Sequence, residues 1–246
     1  MITRARTGAA AAPRPRGRRR AAADLDMREQ LLASATQLFG EQGIAATTMA
    51  QIAEAAGVTS AMVHYYFTNR EKLLDAVVEE RIARSIAFVW ESVDSAGGDL
   101  AQDPRALVEE LVARLFDVTS RMPWLPPLWL REIVNEGGLL RERMLKRLPI
   151  EQLQRFAARV SEAQRDGSVN AELEAPLLFI SILALVMLPL ATSKIWQSAR
   201  GFPKIEHEAL HRHVSALLSA ALRPAPQDER SRQTTGPTAS RKGDAS

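Results

Sequence analysis

The chain has 246 residues, 46% of them hydrophobic and 5% aromatic, with no cysteine and a formal net charge of +3. That length holds one domain of moderate size or two small ones, and the lack of cysteine excludes a disulfide framework, a thiolate nucleophile and a Cys-based metal site. The charge is unevenly spread: residues 1–23 carry seven arginines and no acid, whereas residues 24–75 carry three basic and seven acidic residues.

Residues 1–23, rich in Ala, Arg and Pro, show no helical periodicity and are expected to form a disordered basic arm. Two readings stay open for it: an arm lying along phosphates or in a minor groove, or a solvated tail. The Arg run leads into an acidic segment instead of an apolar core, which argues against a secretory signal. A first helix is expected over about 26–42, where Leu31, Leu32, Ala35, Leu38 and Phe39 recur at threes and fours before Gly43.

Residues 48–72 read as two short helices joined by a tight turn, with a third starting straight after. Thr48 and Gln51 have capping-box spacing, and Met49, Ile52, Ala53 and Ala56 form one apolar face. Gly57 stands where a helix must stop, because glycine accepts the left-handed backbone of a C-terminal cap. Thr59 can cap the next helix, in which Val63 and Phe67 lie four apart on an inner face. Thr68 and Glu71 have the spacing of a second capping box. Two helices around a Gly-containing turn make a helix-turn-helix, whose second helix enters the DNA major groove. Ser60, Ala61, Met62, His64 and Tyr65 then face outward as candidates for base or phosphate readout, and Thr48, Thr59 and Arg70 as phosphate contacts. The plain alternative is an αα-hairpin that only packs a core.

At these residues the chain resembles the TetR family of bacterial transcriptional regulators. The matching pattern is Thr47-Thr48, Ile52-Ala53, Ala56-Gly57-Val58-Thr59, Phe67 and Arg70-Glu71-Lys72-Leu73. It covers about residues 27–74. His64 stands where the family usually has Tyr, Ala61 where it often has Gly, and Arg70 where Lys is usual. The resemblance implies an all-α fold, with a three-helix DNA-binding unit over 24–75 and a larger C-terminal ligand-binding and dimerisation unit over 76–223. It also implies that a long fourth helix, expected to about Val93, transmits ligand binding to the recognition helices.

Gly97-Gly98-Asp99 and Asp103-Pro104 mark a loop, followed by a helix over about 104–120. Pro123, Trp124, Pro126, Pro127 and Trp129 then suggest either an irregular aromatic wall of a ligand pocket or a kinked core segment. Phe88, Phe116, Trp124, Trp129, Phe156 and Phe179 are the pocket candidates. After a break at Gly137-Gly138, residues 139–164 read as a helix interrupted at Pro149. Residues 175–193 carry no charge. They form either a short membrane span or a buried helix, and the resemblance implies the second, as part of a dimer interface through about 175–222. A last helix is expected over about 204–222, and a disordered tail over 224–246. His207 and His211, four apart, could bind a metal or sit on a surface helix. Glu79/Glu80 and Glu109/Glu110 read as solvated faces.

No phosphate loop, nucleophile elbow or paired-carboxylate setting stands out, so no enzyme activity, catalytic residue, cofactor or metal site is expected. The expectation is nine or ten helices in a cytoplasmic homodimer that binds a pseudo-palindromic double-stranded operator. The resemblance implies repression relieved by a small, largely apolar effector. Rival readings are an activator or ligand-independent regulator of the same fold, and a membrane-anchored helical scaffold.

Overall fold

Runs of Ala, Arg, Leu and Glu favour helix strongly, and the computed structural model is built from helices throughout the residues it describes: 16–94, 103–204 and 206–224, with side chains from Asp24 onward. Twelve α-helices are formed among them. In order they are α1 (Arg16–Gln42), α2 (Met49–Ala55), α3 (Ser60–Tyr66), α4 (Arg70–Val77), α5 (Ala83–Asp94), α6 (Pro104–Arg121), α7 (Leu125–Trp129), α8 (Arg141–Leu145), α9 (Ile150–Arg165), α10 (Ala175–Ala191), α11 (Ser193–Ser198) and α12 (His207–Ala221). Two π-helical turns, Val78–Ile82 and Leu130–Val134, join α4 to α5 and extend α7. The count exceeds nine or ten because α7, α8 and α11 have only five or six residues, too few to display a helical period.

Helix α1 begins ten residues earlier than expected and takes residues 16–23 of the anticipated arm into helical backbone. Its sequence there, RGRRRAAA, is made largely of good helix formers; Pro-containing residues 1–15 lie outside the described residues. The second expected capping box also shifts. Asn69, not Thr68, starts α4, and its Oδ1 accepts from the Lys72 N–H at 2.9 Å. Asn is as good a cap as Thr, and Leu73, Leu74 and Val77 of α4 are buried.

The expected long fourth helix exists as α4, a π turn and α5, 25 residues from Arg70 to Asp94. The 122–127 break is less irregular than expected: Pro126 and Pro127 sit in the first turn of α7, where a missing N–H costs little. Pro149 separates α8 from α9 as anticipated. The last helix starts at His207, so Lys204 precedes it. The loop glycines 97–98, Ile205 and most of the expected tail, 225–246, lie outside the described residues.

One apolar cluster runs through the whole molecule, from Leu31, Phe39, Ile52 and Val63 through Trp90 and Leu111 to Ile182 and Val214. The two expected units therefore share a core. Helix α1 packs on α7, so closely that a Cβ on Gly40 would lie 2.7 Å from Trp124 Cβ. Several acids read as solvated are in fact ties within or between elements. Glu80 is gripped by both terminal nitrogens of Arg28, Glu79 pairs with Arg147, and Glu110 pairs with Arg114 at 2.6 Å. Arg143 of α8 reaches back to Glu71 and Asp75 of α4.

Helix α10 has 17 residues, about 26 Å at 1.5 Å per residue, short of a hydrocarbon core of roughly 30 Å. No helix among the described residues is long and apolar enough to cross a membrane.

Candidate nucleic-acid interface and ligand cavity

The corner between α2 and α3 is set by local chemistry. Thr48 and Gln51 complete the capping box, Gln51 N–H donating to Thr48 Oγ1 at 3.2 Å and Thr48 N–H to Gln51 Oε1 at 2.8 Å. Gly57 ends the helix at φ 67°, and Val58 N–H reaches back to the Ala53 carbonyl at 2.9 Å, a helix closure that a left-handed residue permits. Thr59 then caps α3 by accepting from Met62 N–H at 3.4 Å.

Val63 of α3 and Phe67, the residue that closes it, are buried, and the Arg28 guanidinium covers the Phe67 ring at 5.0 Å. Ser60, Ala61, Met62, His64 and Tyr65 are all exposed, as anticipated, and Tyr65 is 75% exposed. Its ring stands edge-on to Tyr66 at 5.1 Å, while Tyr66 donates to Asp24 at 3.2 Å. His64 Nδ1 lies 3.4 Å from the Thr68 carbonyl. A short rod held by two apolar residues thus presents two rings, a hydroxyl and a small-residue start to solvent, groups able to hydrogen-bond bases and touch thymine methyls.

Arg70, expected to meet a phosphate, has a partner within the fold as well. Its Nη2 donates to the Ile44 carbonyl, and its Nε is sealed from solvent with no partner, so the side chain also braces the α1–α2 loop. A backbone acceptor 26 residues away leaves no trace in sequence spacing. With Arg28 committed to Glu80, Lys72 is the most exposed cation of residues 24–75. It follows Arg70 by two in the matched pattern and pairs loosely with Asp75 at 3.5 Å.

Behind the DNA-binding unit lies a cavity of about 340 Å³. Trp90, Val89 and Ile86 of α5, Leu115 and Val118 of α6, and Phe179, Leu183 and Met187 of α10 supply its walls. Val134, Leu145 and Leu148, also lining it, are exposed and mark its mouth. Of the six aromatic candidates, Trp129 and Phe179 line it. The other four do not. Phe88 lies under the guanidinium groups of Arg114 and Arg121. Phe116 packs against His207 and His211, and Trp124 abuts Gly40. Phe156 backs Trp90 and Phe179 from the core. Trp90 was missed, because an aromatic within a long amphipathic helix looks like ordinary core. His207 also meets Thr119 Oγ1 at 3.1 Å, and no group of three or more His, Cys, Asp or Glu is placed to hold a metal among the described residues.

The π turn Leu130–Val134 serves both regions. Ile133 and Val134 line the cavity, while Glu132, 5% exposed, turns the other way. Its carboxylate accepts from Ile44 N–H at 3.0 Å and from Leu139 N–H at 3.1 Å. The backbone of Ile44 is thereby held at its N–H by Glu132 and at its carbonyl by Arg70. That loop leads through Thr47 into the cap of α2.

Residues 31–77 match the model of the bacterial regulatory proteins of the tetR family. Over 152 residues the chain is 26% identical to an HTH-type transcriptional repressor, KstR2, of Rhodococcus jostii, spanning 62% of this chain and 72% of that protein. It is 33% identical over 103 residues to the HTH-type transcriptional regulator BetI of Rhizobium meliloti, spanning 42% of this chain but only 48% of the relative. Among solved structures, the ketosteroid transcriptional regulator KstR2 of Mycobacterium tuberculosis superposes with a TM-score of 0.63 at 17% identity, over 80% of this chain and 94% of that one.

Proposed function

From a chain that belongs to the TetR family of bacterial regulatory proteins and is a DNA-binding transcriptional regulator, we propose a homodimeric cytoplasmic repressor. A small, largely apolar molecule entering the cavity releases it from a pseudo-palindromic operator. The observation that carries the DNA-facing half is the α3 rod, with Val63 and Phe67 inside and Ser60, Ala61, Met62, His64 and Tyr65 outside. Two such rods sit in successive major grooves, about 34 Å apart for half-sites one turn apart. Thr48, Thr59 and Lys72 orient the protein on phosphates.

The dimer forms through α10 and α12. Leu177, Ile180 and Leu188 on α10 and Leu217 on α12 are exposed on one chain, and the two helices pack side by side. Large exposed apolar side chains on adjacent helices are what a second copy covers. Release works by differential affinity: an effector shifts the equilibrium only as far as it prefers one state. Glu132 supplies the mechanical link, because displacing the Leu130–Val134 turn from the cavity side moves the acceptor that holds Ile44.

The test is operator selection from random duplexes with purified protein, followed by reporter assays in a deletion strain. A two-fold symmetric consensus is expected, with derepression in the deletion strain. His64→Ala should retain binding but relax preference at the base it reads, and an unchanged consensus would remove His64 from base readout. Reporter expression that falls on deletion would make the protein an activator.

A further inference from the structure

We propose that the mouth of the cavity is an anion subsite centred on Arg141, and that the effector is an amphipathic organic carboxylate, its apolar body inward and its carboxylate at Arg141. This rests on the proposed reading of the cavity as the effector site. Arg141 is the one residue with an ionisable side chain in the cavity wall among the described residues. Ser85 and Thr119, the wall's hydroxyls, donate to backbone carbonyls one turn back, those of Arg81 and of Leu115 and Phe116, so neither has its proton left to donate to a carboxylate.

Arg141 differs from its neighbours in how it is satisfied. Arg143 is paired with Glu71 and Asp75, and Arg147 with Glu79. Arg141 is half-buried, has a single long contact from Nη1 to the Val134 carbonyl at 3.4 Å, and pairs with no acid among the described residues. A guanidinium offers five donors in a fork that matches a carboxylate, and here most of them are uncommitted beside a mouth lined by Val134, Leu145 and Leu148. Farther in, Phe179, Leu183 and Met187 offer apolar surface. The volume, about 340 Å³, has room for roughly a dozen non-hydrogen atoms at about 30 Å³ for each water-sized unit. Polarity therefore runs along the cavity, cationic at the mouth and apolar at depth, and the matching ligand carries the opposite sign at one end of an apolar body.

The test titrates the full-length protein with decanoate, 1-decanol and decylamine, read by the intrinsic fluorescence of Trp90 and Trp129 in the wall. Hydrogen bonds to charged groups are strong enough that decanoate should bind about tenfold or more tighter than decanol, with decylamine weakest. Arg141→Gln should bring decanoate to the level of decanol while leaving decanol binding intact, which also certifies that the cavity is still formed. Arg143→Gln, altering a neighbouring charge outside the wall, should leave the preference for decanoate in place. Equal affinities of decanoate and decanol, or a preference that survives Arg141→Gln, would overturn the anion subsite. If the three bind equally and still release the operator, the cavity remains the effector site and Arg141 has no part in it. If none binds saturably, the cavity reading falls along with the subsite.

Discussion

Glu132 is a buried carboxylate held by two backbone N–H groups. Replacing it with Gln exchanges one of its acceptor oxygens for a donor facing another donor, and an unmatched buried polar group costs about 1–3 kcal/mol. Glu132→Gln should lower stability by roughly that amount in urea titration. It should also weaken the effect of any effector on operator binding more than it weakens operator binding itself. Arg70→Ala is expected to lower stability as well, since it frees the Ile44 carbonyl; an unchanged melting curve with uniformly weaker DNA binding would leave only the phosphate role. The Arg28–Glu80 pair makes a prediction about pH. The hydrogen bond from Arg28 holds the Glu80 carboxyl below its ordinary range, against the opposing effect of burial. A lowered folded value means that stability is fully present above the ordinary Glu value, about 4.3. It is lost as pH falls through the lower folded value. Glu80→Gln should therefore flatten the acid limb of a stability-against-pH curve and leave its neutral region parallel to wild type. The capping pair Thr48–Gln51 was legible because its partners are three residues apart. The roles of Arg70 and Glu132 were not, because their partner Ile44 is 26 and 88 residues distant.

At the level of elements, two glycines within residues 24–75, Gly40 in α1 and Gly57 between α2 and α3, are needed for different reasons. Gly57 has φ 67° with no atom near a substituted Cβ, whereas at Gly40 a Cβ would meet Trp124 at 2.7 Å. Gly57→Ala should cost about 1–2 kcal/mol through backbone strain alone. Gly40→Ala should cost about 1–3 kcal/mol through overpacking, because the atoms a Cβ meets are the Cβ, Cα and carbonyl oxygen of Trp124, which trimming the indole leaves in place. Thermal melts of the single and double variants check this, and Trp124→Ala should not rescue Gly40→Ala. Helices of ordinary length were readable from their apolar period, and so was the interruption at Pro149. The π turns were not, since one extra residue in a helix leaves its hydrophobic pattern nearly intact. Such turns recur at functional sites, and both of these border the cavity through Ile82 on one side and Ile133 and Val134 on the other.

For the whole molecule, the exposed stripe on α10 and α12 makes the assembly testable. Ile180→Arg should give a monomer in sedimentation velocity with its helix content unchanged. Its operator affinity should fall by about a hundredfold or more, because two linked sites gain that much over one. For the apolar run 175–193, Ser181, Pro189 and the want of a second such run favour a buried helix over a membrane span in the sequence; the 17-residue length of α10 also argues against the span. The sequence changes from motif to mere helix layout near residue 75, which is why two units are expected there. That both draw on one core was not legible, because Gly40 meeting Trp124 and Glu132 meeting Ile44 are contacts across the chain. That shared core has a practical outcome. A molecule lodged against Trp90 and Phe179 braces the same cooperative block that carries α3, so melting of the entire protein becomes a readout for compound screening. At a hundred times its dissociation constant such a compound adds about 2.7 kcal/mol, a rise of several degrees for a chain of this size. The native effector can thus be sought by heating the protein against a chemical library before a single operator sequence is known.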